Sequence, residues 1–130
     1  MSRVCLILLL PLLLSACSDA SFSLGEQSWE EVQFVVETRP SPPVQGMNEF
    51  LVIATGQNRR KAHDLIISLR TDPKAPWKQA IQDGHVGVYR KALPISDVMT
   101  DVLYVHIRQR SGAEGELAFP LKPGSEHVLR

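Results

Sequence analysis

Residues Val102 to Arg110 alternate without a break, with Leu103, Val105 and Ile107 on one side and Tyr104, His106 and Arg108 on the other. A period of two is the signature of a strand with one buried and one solvated face, whereas a helix would scatter the same residues around its axis. Ser111-Gly112-Ala113-Glu114-Gly115 then reads as a hairpin loop, after which Leu117, Phe119 and Leu121 repeat the alternation. So short a connection requires antiparallel neighbours. The same pattern recurs upstream. Val32, Phe34 and Val36 alternate with Glu31, Gln33 and Glu37 in a run from about Trp29 to Thr38, which Arg39-Pro40-Ser41-Pro42-Pro43 ends because proline cannot donate to a ladder. Leu65, Ile67 and Leu69 share one face of a run from His63 to Thr71, broken by Asp72-Pro73 and Ala75-Pro76.

Between these lie segments with other patterns. Asn48 to Thr55 is apolar on both faces, as expected of a strand at a sheet centre or packed on both sides. Gly56-Gln57-Asn58 is a turn, and Arg59-Arg60-Lys61 after it reads as a solvated tip. Trp77 to Gly84 fits either a short helical turn or a strand crossing between sheets. Asp83-Gly84 leads into a strand over His85–Leu93, closed by Pro94. Short strands separated by turn signals, with no long helical period, predict an all-β fold: an immunoglobulin-like antiparallel β-sandwich of about seven strands spanning residues 29–122. Its core should join Leu103, Val105 and Ile107 to Val32, Phe34, Leu65, Ile67 and Phe119. Residues 123–130 are expected to form a flexible tail.

The N-terminus carries a different signal. Arg3 precedes a short apolar run that contains Pro11 and closes on Leu14-Ser15-Ala16-Cys17. The run is far shorter than the roughly 20 apolar residues a membrane span needs, and fits a secretory leader. Leu14–Cys17 resembles the lipobox of bacterial lipoproteins. That resemblance implies a signal peptide over residues 1–16, cleavage after the small side chains Ser15 and Ala16, and acylation of the Cys17 thiol. It further implies a membrane partner reached through the lipid and a place in the cell envelope. Ser18, where many enterobacterial lipoproteins retained in the inner membrane have aspartate, implies the outer membrane, facing the periplasm. Residues 17–28 read as the lipidated tether. The eleven after Cys17 reach at most about 35–40 Å, at 3.3–3.6 Å each.

Removal of the first 16 of 130 residues leaves enough chain for one domain and too little for two. Of 14 basic residues only Arg3 departs, against 14 acidic ones that all stay, so no net charge points to nucleic acid as a partner. Both cysteines are accounted for: Cys5 lies in the leader and Cys17 becomes a thioether. No disulfide or cysteine metal site is then available, and the fold must rest on its apolar core.

Gly46-Met47-Asn48-Glu49-Phe50 at a strand start, Asp83-Gly84 with Gly87-Val88-Tyr89 before a later strand, and Phe119-Pro120-Leu121 at the end resemble the layout of YtkA-like or FixH-like extracytoplasmic domains. The similarity covers residues 45–121. It implies a small sandwich and, for some members, a part in copper or respiratory-oxidase assembly, which is the alternative function. Where such domains commonly have a methionine-rich segment, this chain has Asp72-Pro73-Lys74-Ala75-Pro76-Trp77. The metal-ligating side chains are His63, His85, His106, His127, Met47 and Met99, and no two have the close spacing that sets ligands side by side on one element. The blander reading makes the histidines turn or strand residues and the methionines core filler. No cofactor is expected.

Catalysis has no support in the pattern. There is no nucleophile elbow, and the adjacent acid–imidazole couples are His63-Asp64 and, in the tail, Glu126-His127. The richest cluster is instead Ala75 to Tyr89, where Trp77, Gln79, Gln82, His85 and Tyr89 combine aromatic and amide side chains behind a proline-stiffened approach. Such residues suit a protein-binding surface, with another envelope protein as partner. Trp77 itself is expected to be the central packing residue of the sandwich, the commoner place for a tryptophan in a small β domain, with the interface as the other reading. The expected function is a membrane-anchored, non-catalytic binding or accessory module.

Overall fold

The computed structural model describes residues 22–57, 62–84 and 87–124. Nine strands follow one another: β1 (Ser23–Trp29), β2 (Val32–Arg39), β3 (Gly46–Thr55), β4 (Leu65–Arg70), β5 (Lys78–Gln79), β6 (Ile81–Asp83), β7 (Val88–Ile95), β8 (Val102–Gln109) and β9 (Glu114–Pro120). They form two antiparallel sheets, a five-stranded one ordered β1-β2-β3-β7-β6 and a four-stranded one ordered β5-β4-β8-β9. With β1 set aside, β2, β3, β7 and β6 occupy the A, B, E and D positions of an immunoglobulin-like sandwich. Strands β5, β4, β8 and β9 occupy C′, C, F and G.

The core is the one the alternation predicts. Val32, Phe34, Val36, Ile67, Leu69, Leu103, Val105, Ile107 and Phe119 are fully buried between the sheets, joined by Phe50, Val52, Leu65 and Leu121. Strand β3, apolar on both faces, is the middle strand of the five. The segment after Trp77 is a strand that changes sheets, with β5 pairing to β4 and β6 to β7. Ala80, at the crossing, is buried and donates its N–H to the Ile67 carbonyl at 2.8 Å.

Several boundaries differ from expectation. The tether is shorter, because Ser23–Trp29 is an edge strand that pairs with β2 and buries Leu24. Its hairpin turn escapes notice because Glu30 (φ 48°) and Glu31 (φ 65°) hold the positive φ angles that such turns usually give to Asn-Gly. The strand expected from Trp29 therefore starts at Val32, and that expected from His63 starts at Leu65, after a helical turn at Ala62–His63. Pro94 does not end its strand: β7 runs through it to Ile95, opposite Gly46. The pairs of β6 reach β7 only as far as Arg90. Pro94 accepts at its carbonyl from Thr71 Oγ1 at 2.7 Å, so it turns its donor-less nitrogen away from β3.

At Gly115 a close approach requires glycine. A Cβ there would overlap Trp29 Nε1, so the bare backbone of β9 lets the β1 indole lie against it. Gln27 Nε2 donates to the Ala118 carbonyl nearby at 2.6 Å, and these contacts tie the β1 edge of one sheet to the β9 edge of the other.

Candidate binding face

Alternation places Ser68 and Arg70 of β4 and Tyr104, His106 and Arg108 of β8 on the outer face of the four-stranded sheet. The ladder sets Ser68 opposite His106 and Arg70 opposite Tyr104. On the other side of β4, Leu69 faces Lys78, so the next step brings Trp77 alongside Arg70. Trp77 is accordingly half-buried on the outside and takes no part in the core, which corrects the central-packing expectation. The Arg70 guanidinium carbon lies 4.0 Å from the Trp77 ring centroid and 5.9 Å from that of Tyr104. The His106 ring is tilted 45° to the indole, with centroids 5.5 Å apart. His106 Nε2 in turn lies 3.7 Å from Glu114 Oε2 on β9.

Arg70 is the hub of this face. Its Nη1 donates to the Ala75 carbonyl at 3.3 Å, while its Nε is buried without a hydrogen-bond partner. No ion pair of Arg70 is present among the described residues. A delocalised guanidinium between two aromatic faces keeps its charge and its N–H edge while losing little of its hydration. Beside it, a groove between the β4–β5 and β7–β8 connections is lined by Arg70, Lys78, Pro76, Leu93 and Pro94. Asp72 and Asp101 also line it, so beside its two cations the groove presents carboxylates as well.

The other expected site residues separate. Gln79 is exposed on β5, opposite Ser68, and extends the Trp77 face. Gln82 is half-buried and structural, its Nε2 donating to the His63 carbonyl at 2.9 Å. Tyr89 is no surface residue: it is 1% exposed, its hydroxyl donates to the Ala62 carbonyl at 2.9 Å and accepts from Leu65 N–H at 3.3 Å. Burial pushes its phenol above the ordinary 10.0, Asp64 adds to the rise, and the Leu65 bond opposes it. Gln82 and Tyr89 thus pin the β3–β4 connection and leave the partner-binding set. Cys17, Arg59-Arg60-Lys61, His85 and His127 lie outside the described residues.

The described metal-ligating side chains do not converge. His63 sits before β4, His106 on the outer face of β8, and Met47 and Met99 at the opposite end of the sandwich from His63, 63% and 57% exposed rather than filling the core. No group of three or more His, Cys, Asp or Glu suited to a metal occurs among the described residues. His63 and Asp64 occupy the turn before β4 rather than a strand, with the His63 carbonyl engaged by Gln82.

Fold and face together define an immunoglobulin-like sandwich with an aromatic–cation stack on its C′CFG sheet. Comparison with family models, curated proteins and solved structures returns no match.

Proposed function

We propose that the protein is a lipoprotein of the cell envelope, held in the outer membrane by acylated Cys17, whose sandwich is a non-catalytic module that binds another envelope protein through the Trp77–Arg70–Tyr104–His106 face. One observation carries the binding role: the largest aromatic side chain of the second sheet is withheld from the core and mounted outside against an arginine without an ion pair among the described residues. Tryptophan, tyrosine and arginine are the residues over-represented at the energetic centres of protein interfaces. The anchor is supported by the Leu14–Cys17 pattern alone.

Two experiments test the two halves. Cys17→Ser should abolish incorporation of labelled palmitate and leave the precursor uncut; continued acylation would refute the anchor. For the face, a photo-crosslinking residue at Gln79 should trap a defined envelope protein. Trp77→Ala should reduce that product at least several-fold while the domain stays folded. An unchanged product from a folded Trp77→Ala protein would refute the binding role.

A further inference from the structure

Strand β1 begins where β2 ends: Ser23 pairs with Glu37, two residues before Arg39. Phe22 packs against the core. The chain therefore enters the sandwich at the end that carries the connections 40–45, 71–77 and 96–101. From Cys17 to Phe22 is five Cα–Cα steps, at most about 18 Å at 3.6 Å per residue. Strand β3 alone, with 10 residues, is roughly 30 Å long. On so short a tether the entry end must be the one nearest any bilayer that holds Cys17.

That end also gathers the exposed apolar side chains. Among the described residues five large hydrophobic side chains are exposed, and three of them, Val44, Met47 and Met99, belong to it. Met47 stands opposite Pro94 at the top of the β3–β7 ladder. Gln45 shares a depression with Ser96, Asp97 and Val98, which sets the Val44 and Met99 loops side by side. Both loops are held from within. Buried Asn48 accepts from Val44 N–H at 3.0 Å and donates to the carbonyls of Val44 and Gly46 at 2.7 and 2.9 Å. Asp101 Oδ2 accepts from the N–H groups of Ser96 and Asp97 at 2.8 and 3.2 Å, and Asp97 Oδ1 accepts from Met99 N–H at 2.9 Å. The acidic residues here thus serve their own turns. The three connections carry Lys74 against Asp72, Asp97 and Asp101, with Arg39 and Lys122 at neighbouring strand ends, so no excess of positive charge is there to attract anionic lipid.

We infer that this end rests on the phospholipid surface, with Val44, Met47 and Met99 in the boundary between headgroups and acyl chains. The inference rests on the acylated Cys17 of the preceding proposal. The acyl chains supply the affinity, since three side chains bury too little to hold a domain, and the three residues set its orientation. The connection 110–113 then points away from the membrane, and the Trp77 face stands sideways, open to a neighbour anchored in the same bilayer.

The processed protein has no free thiol of its own, so a single introduced cysteine can be labelled cleanly. The lipidated full chain, with an environment-sensitive fluorophore at Val44→Cys, Met99→Cys or Ser111→Cys, would be reconstituted in phosphatidylethanolamine–phosphatidylglycerol vesicles that contain nitroxide-labelled lipid. Probes at 44 and 99 should shift to the blue and be quenched several-fold more than the probe at 111, equally at low and high salt. Replacing Val44, Met47 and Met99 together by serine, with the probe at Gln45→Cys, should lose most of the quenching while the protein stays vesicle-bound. Equal quenching at 99 and 111 in bound, acylated protein would overturn the orientation and leave the anchor standing, and so would a serine variant quenched like its parent. Absence of acyl mass on Cys17 would remove the anchor and the orientation with it.

Discussion

The two outer faces of the sandwich each carry a half-buried arginine whose Nε is buried without a partner, and they use it in opposite ways. On the five-stranded sheet, Arg90 pairs with Asp83 at 2.8 Å and with Glu49 at 3.4 Å. Beside it Leu51 is only 4% exposed although it lies outside the core cluster, flanked in the ladder by Glu37 and Arg90. Long charged side chains there roof Leu51, while Ile81, 73% exposed, and a depression lined by Glu49, Asp83 and Arg90 stay open beside it. On the four-stranded sheet Arg70 has aromatic neighbours in place of an ion-paired carboxylate, and among the described residues no ion pair of Arg70 closes over the stack. The difference teaches that ion pairing across a sheet face can stand in for a missing layer. The face proposed for a partner is the one with a half-buried indole on its outside and a guanidinium that has no ion pair among the described residues.

The largest expected effect sets the scale for both faces. Val105→Asp puts a carboxylate between the sheets at a fully buried position, at a cost of several kcal/mol against a total stability of about 5–15 kcal/mol. The variant should be largely unfolded by circular dichroism, whereas Arg108→Asp on the outer side of the same strand should melt close to the parent. Equal losses would mean that the outside of β8 is not solvated, and the contrast between faces would collapse.

Next in size comes the contrast itself. Leu51→Ala should lose about 2–3 kcal/mol in urea unfolding, near the low end for core leucines, because the roof of charged side chains can settle into the gap. Ile66→Ala, on the other outer face and 37% exposed, should lose under about 1 kcal/mol. Comparable values would show that the ion-paired face is no better closed than the aromatic one.

How much of this was legible depended on whether a property was local. Leu103, Val105 and Ile107 alternate so cleanly that their inward facing, and the outward facing of Tyr104, His106 and Arg108, could be read from one strand. Strand β1 was hidden by chemistry: its turn uses Glu30-Glu31, and Gly25 at φ 111° accompanies a register shift between Ser23 and Glu26 that spoils the alternation. The position of Trp77 was hidden by geometry, because it depends on a register of 69 with 78 that no local pattern encodes. Pro76 and Lys78 beside it were the available surface signal. Tyr89 was misread for a related reason: on alternation it is an inward residue like Leu93, but its hydroxyl invited a surface role until Ala62 and Leu65 supplied partners.

Tyr89 sharpens the comparison from inside. Tyr89→Phe should lower stability by about 1–3 kcal/mol by leaving Leu65 N–H and the Ala62 carbonyl without that partner. Its raised pKa has a second consequence. Between the ordinary value of 10.0 and the higher folded value, the folded state holds a proton that the unfolded chain has lost. Stability attributable to this group is therefore constant below about pH 9 and falls as pH rises through and above 10. Tyr89→Phe should remove that alkaline loss, which denaturant titrations at pH 8 and pH 10.5 would reveal.

The smallest stability effect is expected where function is proposed. Trp77→Ala removes one face of the Arg70 stack and half-buried surface, and should cost about 1 kcal/mol rather than the 3–5 kcal/mol of a buried aromatic. In a Trp29→Phe background, emission from Trp77 should be red of a core indole and efficiently quenched by iodide. A surface residue bound only to its own face would lose those contacts and nothing more. The decisive outcome is therefore a pair of measurements on one variant, near-parental melting together with loss of the cross-linked partner at Gln79. A loss of 3 kcal/mol or more with blue, unquenched emission would place the indole in the packing of the domain, and the two faces would then differ in shape but not in purpose.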